Sequence, residues 1–504
     1  MSDTGLRVPD FRTALPDPAA AENVTYDPSR ARLRAFSSTL ETTTEYGSPA
    51  YVTVHRSRCA DRTKNALDDD FDATDYGHVE TAVEYARTHE MVCLDRQVGR
   101  HEALSFTCRY YVPREHGRIA LAVAELFEPA APDDEPDFVT VQVPDLDDVA
   151  IRVLPEAGVT AVLGSDYTGE AKKSFLRLFM FRAKQRGGLG LHAGSKRVRL
   201  AADDGTTETV GQLFLGLSAT GKSTLTAHGM GLDPPEDAVL LQDDVCALLP
   251  DGTVAGSEGN GLYVKTIGLE RAEQPAVYDA ATHESAVLEN VAVGPDGAVE
   301  FDSDEHTANG RAVVRREHLA SADDAIDLDR LDQVFFITRN PAMPPVARLT
   351  TEEAAAAFML GESIRTSAGD PSRAGESVRV VGTNPFIVGP AGEEGNRFRD
   401  LIADLDVDCY VLNTGHVGDP GTDVGVEDTV TILRELARDR VAWTVDDATG
   451  LTVPGEVPGL DVDAFDVADN LPDHERRLRE LRAERRSHLA AYEDLDEAVQ
   501  DAVY

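Results

Sequence analysis

The chain of 504 residues is poor in cysteine and in basic residues, and it has no long hydrophobic run. Its five cysteines, Cys59, Cys93, Cys108, Cys246 and Cys409, show no CxxC spacing, so neither a disulfide framework nor a zinc site is indicated. A reducing cytoplasm is the expected setting. The opening residues MSDTGLRVPDFRTALPDP lack the apolar centre of an export signal, and nowhere do about eighteen apolar residues run together, which predicts a protein neither exported nor membrane-spanning. Only 48 Lys and Arg stand against 90 Asp and Glu, a net charge of −42 spread along the whole chain. Such a field repels phosphate backbones and anionic lipid, so no nucleic acid and no membrane are expected as partners. No internal repeat is present.

What is there is material for a core. Hydrophobic residues make up 42% of the chain and fall in patterned segments, which separates it from an acidic disordered protein. The acidity then reads as adaptation to salt. At molar ionic strength the Debye length shrinks to about 3 Å, carboxylate repulsion is screened, and a hydrated acidic surface keeps the protein in solution. A cytosolic protein of a high-salt organism is the expectation.

Length predicts two or three domains. Residues 1–45, rich in Pro, Ala, Asp and Thr, read as a partly loose N-terminal arm, loosest over the first twenty or so. Residues 46–200 mix strand-like runs (AYVTVHRS, FTCRYYV, FVTVQV, VTAVLG) with helical patterns (IALAVAELF, KKSFLRLFMFRAKQR), an α/β domain. The polar segment AADDGTTETVG, 201–211, reads as a bridge into a second domain, 201–470, and 471–504 as a C-terminal helix whose arginines mark a solvated face.

The strongest local signal is GLSATGKSTL, 216–225, between the apolar run Leu213-Phe214-Leu215 and a helical start. Gly216, Gly221, Lys222 and Ser223 satisfy G-x-x-x-x-G-K-[ST]. Backbone N–H groups of Gly216, Leu217, Ser218, Ala219, Thr220 and Gly221 are expected to turn toward phosphate oxygens, with Thr224 just inside the helix. Lys222 would offset phosphate charge and Ser223 would hold Mg²⁺ through its hydroxyl. Asp243 and Asp244 close a second apolar strand, AVLLQ, where a metal-binding carboxylate belongs in nucleoside triphosphate enzymes.

Around this loop stand DYTGEAKKSF (166–175), LHAGSK (191–196), LQDDV (241–245), GLYVKTIGLERAEQPAVYDA (261–280), AVLENVAV (286–293) and NPAMPPVARLTTEEAAAAFMLG (340–361), continued by LNTG (412–415) and VEDTVTILREL (426–436). In this order they resemble the ATP-dependent phosphoenolpyruvate carboxykinases over residues of about 95 to 455. The resemblance implies a two-lobed α/β (mixed α+β) fold with a P-loop mixed-sheet nucleotide domain. It also implies conversion of oxaloacetate and ATP to phosphoenolpyruvate, ADP and CO₂. By the same resemblance Lys173, His192 and Asp244 would hold Mn²⁺, with Lys173 neutral because an ammonium has no lone pair and Lys172 beside it assisting. Tyr167 would lie by the enolate or CO₂, Arg311 in ANGRAVV against the transferring phosphate, and Thr429 near the nucleotide; Lys265 has a standing similar to that of Arg311.

Departures from the pattern fall on the nucleoside and carboxylate subsites. Ala219 stands for the usual glycine, Ser223 for threonine, Gln274 for a glutamate and Asp423 for an arginine beside the nucleotide, and DDVCAL loses charged residues after its aspartates. The family segment GRSPKDK has no clear counterpart; HRSRCADRTKN offers Arg56, Arg58 and Arg62 without choosing among them. Two alternatives therefore remain at this stage: a kinase on the same scaffold acting on a protein serine or a small hydroxy acid, and an ATP-binding protein without turnover.

Overall fold

A computed structural model describes residues 11–54, 60–132, 134–202, 205–217, 220–364 and 377–504. It is a mixed α/β structure with several mixed sheets, and the chain divides into two compact units: Met1–Phe181 with Glu258–Ala320, and Arg182–Ser257 with Ser321–Tyr504.

In the first unit the main sheet runs Val24–Tyr26, Met91–His101, Leu104–Pro113, Phe138–Val143, Val159–Leu163, Ala150–Leu154, Thr63–Asn65. Phe138–Val143 and Val159–Leu163 are buried at every residue, the mark of strands covered on both faces. One cover is the helix Ala73–Thr88, started by Asp72, whose side chain accepts from the backbone of Thr74 and Asp75. Its Val79, Ala82, Val83 and Ala86 pack with Val139, Val141, Val159 and Ala161. A second sheet orders Gly261–Lys265, Arg311–Arg315, Val287–Glu289, Pro49–Tyr51, Thr42–Thr43, joining strands from both chain segments of the unit.

The second unit is built on the sheet Asp237–Gln242, Ala193–Ala201, Thr207–Leu215, Gln333–Thr338, Asp408–Asn413, Val346–Leu349, Thr452–Glu456, Ala442–Val445. Thr207–Leu215, Gln333–Thr338 and Asp408–Asn413 are mutually parallel neighbours, with antiparallel strands outside them. Helices Thr351–Leu360 and Ala391–Leu405 belong to one hydrophobic core of this sheet, and Val426–Ala437 to the other.

Three expectations are revised by these pairings. The segment 201–211 is no bridge: Ala201 pairs with Thr207, so it turns a hairpin inside the second unit's sheet. The stretch 258–320, placed by sequence in the second domain of 201–470, belongs to the first unit, because Leu288 and Glu289 pair with Ala50 and Tyr51. The arm expected over 1–45 is folded from residue 11 onward: Phe11 and Leu33 are buried and Val24–Tyr26 pairs with Met91–Cys93, while residues 1–10 lie outside the described residues.

The tail 471–504 does hold a helix, His474–Leu489. Its arginines do not all face solvent. Arg485 is 1% exposed and bound to Glu362, whereas Arg476, Arg477 and Arg479 are exposed.

Candidate functional site

The residues expected from sequence to form a phosphate loop lie between the strand Thr207–Leu215 and the helix Lys222–Ala227. Gly221 has φ +96°, in the left-handed region that only glycine enters freely, and no atom would meet a Cβ there. Gly216 is fixed by crowding: a Cβ would lie 2.6 Å from Thr220 Oγ1 and 3.1 Å from Ile337 Cβ. Thr220 Oγ1 donates to the Leu217 carbonyl at 2.8 Å, and Thr414, in the LNTG segment, donates to the Thr220 carbonyl at 2.7 Å. The Lys222 ammonium donates to the Asp243 carbonyl at 2.5 Å, tying the loop to the carboxylate pair. Ser223 is exposed and Thr224 half-buried, both on the helix's first turn; Ser218 and Ala219 lie outside the described residues. Thr429 is buried in the helix Val426–Ala437 and donates to the Gly425 carbonyl at 3.0 Å. Asp423 is exposed at the end of the strand Gly421–Asp423.

His192 and Asp244 come together because Leu189–Leu191 and Cys246–Leu248 pair antiparallel with Leu191 opposite Cys246, leaving both residues just beyond the ends of the ladder. His192 Nε2 stands 2.9 Å from Asp244 Oδ1, and His192 Nδ1 donates to the Thr383 carbonyl at 2.6 Å. That second bond orients the ring and leaves the Nε2 lone pair available. Asp243 Oδ1 is buried with no hydrogen-bond partner among the described residues. Imidazole and carboxylate donors with an unsatisfied carboxylate oxygen beside them suit Mn²⁺ or Mg²⁺. Groups of three convergent His, Cys, Asp or Glu side chains are not found among the described residues.

Lys173 belongs to the other unit, as do Tyr167, Lys172, Lys265, Gln274 and Arg311. It is half-buried in the first two turns of the helix Thr168–Gln185. Lys172 is 1% exposed, with Nζ 2.8 Å from Glu258 Oε1 and 5.5 Å from the Tyr263 ring centre. Tyr167 is buried, its hydroxyl accepting from Asn309 Nδ2 at 3.1 Å, and its ring explains the glycine of YTGE: a Cβ on Gly169 would come within 2.3 Å of Tyr167 Cε1. Arg311 donates to Asn309 Oδ1 at 3.0 Å and lies 5.4 Å from the Tyr263 ring centre. Lys265 is its partner across the ladder, so Tyr167, Lys172, Lys265 and Arg311 gather around Tyr263 and Asn309. Gln274 occupies the position before the helix Pro275–Ala281 without a side-chain capping bond. Of the three arginine candidates, Arg62 is exposed and Arg56 and Arg58 lie outside the described residues.

Sequence reasoning gave no role to Glu289 and Asn290, which the structure puts at the centre of the first unit's charged core. Glu289 accepts from Thr168 N at 3.0 Å, Thr168 Oγ1 at 2.9 Å and the Tyr263 hydroxyl, with Arg118 Nη1 3.4 Å away. Burial raises its pKa despite Arg118 and these donors. Arg118 also binds the Asp166 carboxylate at 2.7 Å, which accepts from Val54 N at 2.9 Å. Asn290, with φ +58°, accepts from Thr53 N at 2.8 Å. Lys196, in LHAGSK, is likewise fully buried, donating to the carbonyls of Leu225 and His228 at the end of the phosphate-loop helix. For Glu289 and Asn290 the available signal was polar residues inside an apolar run, AVLENVAV.

Comparison with known proteins gives a consistent picture. The family model described as phosphoenolpyruvate carboxykinase matches residues 61–463. The phosphoenolpyruvate carboxykinase (ATP) of Aeropyrum pernix is 37% identical over 453 residues, 88% of this chain and 90% of that protein. Those of Afipia carboxidovorans and a Chelativorans species are 31% and 30% identical, over 62% and 65% of this chain and 58% and 59% of theirs.

Proposed function

The chain belongs to the ATP-dependent phosphoenolpyruvate carboxykinase family, and on that premise we propose that it converts oxaloacetate and ATP to phosphoenolpyruvate, ADP and CO₂ with the residues described above. The carbon–carbon bond to the leaving carboxylate breaks, its electron pair becomes the enolate of pyruvate, and the enolate oxygen takes the γ-phosphoryl group from ATP. Gluconeogenesis is the setting in which such a reaction serves.

The observation that carries the reading is the His192–Asp244 pair, with His192 Nδ1 committed to the Thr383 carbonyl and Nε2 presented at Asp244. Lys173, His192 and Asp244 would hold Mn²⁺, and Ser223 and Asp243 would hold the Mg²⁺ that accompanies ATP. A divalent cation bound there offsets negative charge on enolate and phosphate oxygens. The backbone of 216–221, with Lys222 and Thr224, cradles the phosphates, and Thr429 lies toward the nucleoside. Arg311 meets charge on the transferring phosphoryl group, Tyr167 packs against the enolate, and Lys172 assists beside Lys173. A domain division follows: the first unit supplies the acceptor's groups, the second the nucleotide's. The cytoplasm of a high-salt organism is the proposed location. Among the described residues, no helix is long and apolar enough to cross a membrane.

Neither alternative, a kinase for another acceptor or a silent ATP-binding protein, is favoured by an observation in the structure. The deciding assay couples phosphoenolpyruvate formation from oxaloacetate in molar KCl with Mg²⁺ and Mn²⁺, comparing ATP with GTP. Product is expected with ATP, and Lys173→Ala is expected to lower kcat on the order of a hundredfold or more. Folded wild-type protein that hydrolyses ATP yet makes no phosphoenolpyruvate would overturn the assignment.

A further inference from the structure

With 90 acidic residues against 48 basic ones, carboxylates outnumber cations nearly two to one. Arginines of the second unit find them readily: Arg197 with Asp323 at 2.6 Å, Arg348 with Asp408 at 2.5 Å, Arg379 with Glu362 at 2.7 Å and Arg438 with Glu236 at 2.6 Å. Among the described residues Arg339 has no such partner. It is half-buried, and its Nε is buried without a hydrogen-bond partner among the described residues. Burial lowers its pKa. A half-buried guanidinium with one buried N–H left without a hydrogen-bond partner among the described residues gains when an anion binds it.

Its place in the sheet identifies the anion. Arg339 directly follows Gln333–Thr338, the middle one of the three parallel strands. The strand on one side, Thr207–Leu215, ends in the phosphate loop at Gly216; the strand on the other, Asp408–Asn413, ends at Thr414, which holds the Thr220 carbonyl. A Cβ on Gly216 would lie 3.1 Å from Ile337 Cβ, and one on Gly415 would lie 3.2 Å from Arg339 Cβ, so the ends of all three strands crowd together here. In open α/β sheets ligands bind beyond the carboxyl ends of the parallel strands. A guanidinium offers a planar fork of donors matched to phosphate oxygens.

We propose that Arg339 is a nucleotide-contacting residue, its guanidinium bound to the polyphosphate of ATP seated on the loop 216–223. The proposal rests on the reading of that loop as the nucleotide site. It gives a half-buried arginine, without a carboxylate partner among the described residues, an anion to bind.

The test measures dissociation constants of ATP, ADP and adenosine by calorimetry on the full chain in molar KCl with Mg²⁺, for wild type, Arg339→Ala and Arg339→Lys. Phosphoenolpyruvate formation by the wild type is measured separately. Arg339→Ala should weaken ATP and ADP by about 10- to 100-fold, the loss of a charge-assisted hydrogen bond, and leave adenosine unchanged. Arg339→Lys should recover part of the loss. ATP affinity in Arg339→Ala within about twofold of wild type, below what one such bond contributes, overturns the proposal, as does an equal loss for adenosine. Should Arg339→Ala lose its cooperative unfolding transition, Arg339→Gln, which keeps the polar stem and removes the charge, is read by the same criteria. A wild type that binds ATP but makes no phosphoenolpyruvate defeats the carboxykinase assignment while the affinities still decide Arg339. A wild type that binds no ATP defeats both.

Discussion

Lys196 is a lysine that folding takes out of water, with no acid paired to it among the described residues. Burial pulls its pKa down from 10.5 to about 7, and a neutral amine still has two N–H groups for the carbonyls of Leu225 and His228. The sign of the linkage is set by the unfolded chain, which keeps its proton up to the ordinary lysine value. Between pH 7 and 10.5 the unfolded state therefore binds more protons than the folded one, and stability rises with pH across that window and is flat below it. Denaturant midpoints should climb from about pH 7 toward pH 10 in the wild type, and Lys196→Met, similar in volume but unable to charge, should remove most of that slope. Equal slopes in the two proteins would show that Lys196 is charged in the fold. Sequence alone could not assign this role: a lysine in a strand pattern is ordinarily an exposed one, and only the packing of β-strand against helix at Gly194, where a Cβ would strike Thr226, drives its stem inward.

At the scale of elements, the C-terminal helix shows what periodicity conveys and what it hides. The helix itself is legible from its apolar spacing, since Leu478 and Leu489 are buried as the pattern requires. The burial of Arg485 is not, because its partner Glu362 lies on a strand far away in the chain. Arg485 Nη2 stands 2.8 Å from Glu362 Oε1, Arg379 Nη2 stands 2.7 Å from Oε2, and the Arg485 guanidinium covers the Tyr504 ring at 4.1 Å. Burial would raise the Glu362 pKa, but the two arginines prevail and bring it from 4.5 to about 2. The stabilisation from this carboxylate is complete above pH 4.5 and disappears as pH falls through 2. Glu362→Gln leaves Arg485 buried without its counter-charge and should destabilise the protein by about 3–5 kcal/mol at neutral pH, with less pH dependence across that acidic window. A midpoint of denaturation equal to that of the wild type would show that the triad contributes nothing net. The strand before Gly216 and the helix start at Lys222, by contrast, were legible, because they are adjacent in sequence and need no distant partner to be recognised.

For the whole molecule, the net charge of −42 predicts a strong response to salt. Lowering KCl from molar to about 0.1 M lengthens the Debye screening distance from about 3 Å to about 10 Å, and repulsion among surface carboxylates then acts over neighbouring groups. The unfolding temperature should fall by roughly 10 °C or more over that range, since a few kcal/mol shifts a large domain's transition by that much. A flat profile would count against adaptation to salt. Composition made this expectation available, while the division of the chain into units stayed hidden because the pairing of Pro49–Tyr51 with Val287–Glu289 leaves no local trace. That pairing has a bearing on synthesis. A ribosome has to make the phosphate loop, and everything else between residues 182 and 257, before the last strands of the first unit emerge. The nascent chain must hold the hairpin of Thr42–Thr43 and Pro49–Tyr51 without its neighbour Val287–Glu289 through all of that time, so a strand made early is among the latest to find its final hydrogen bonds.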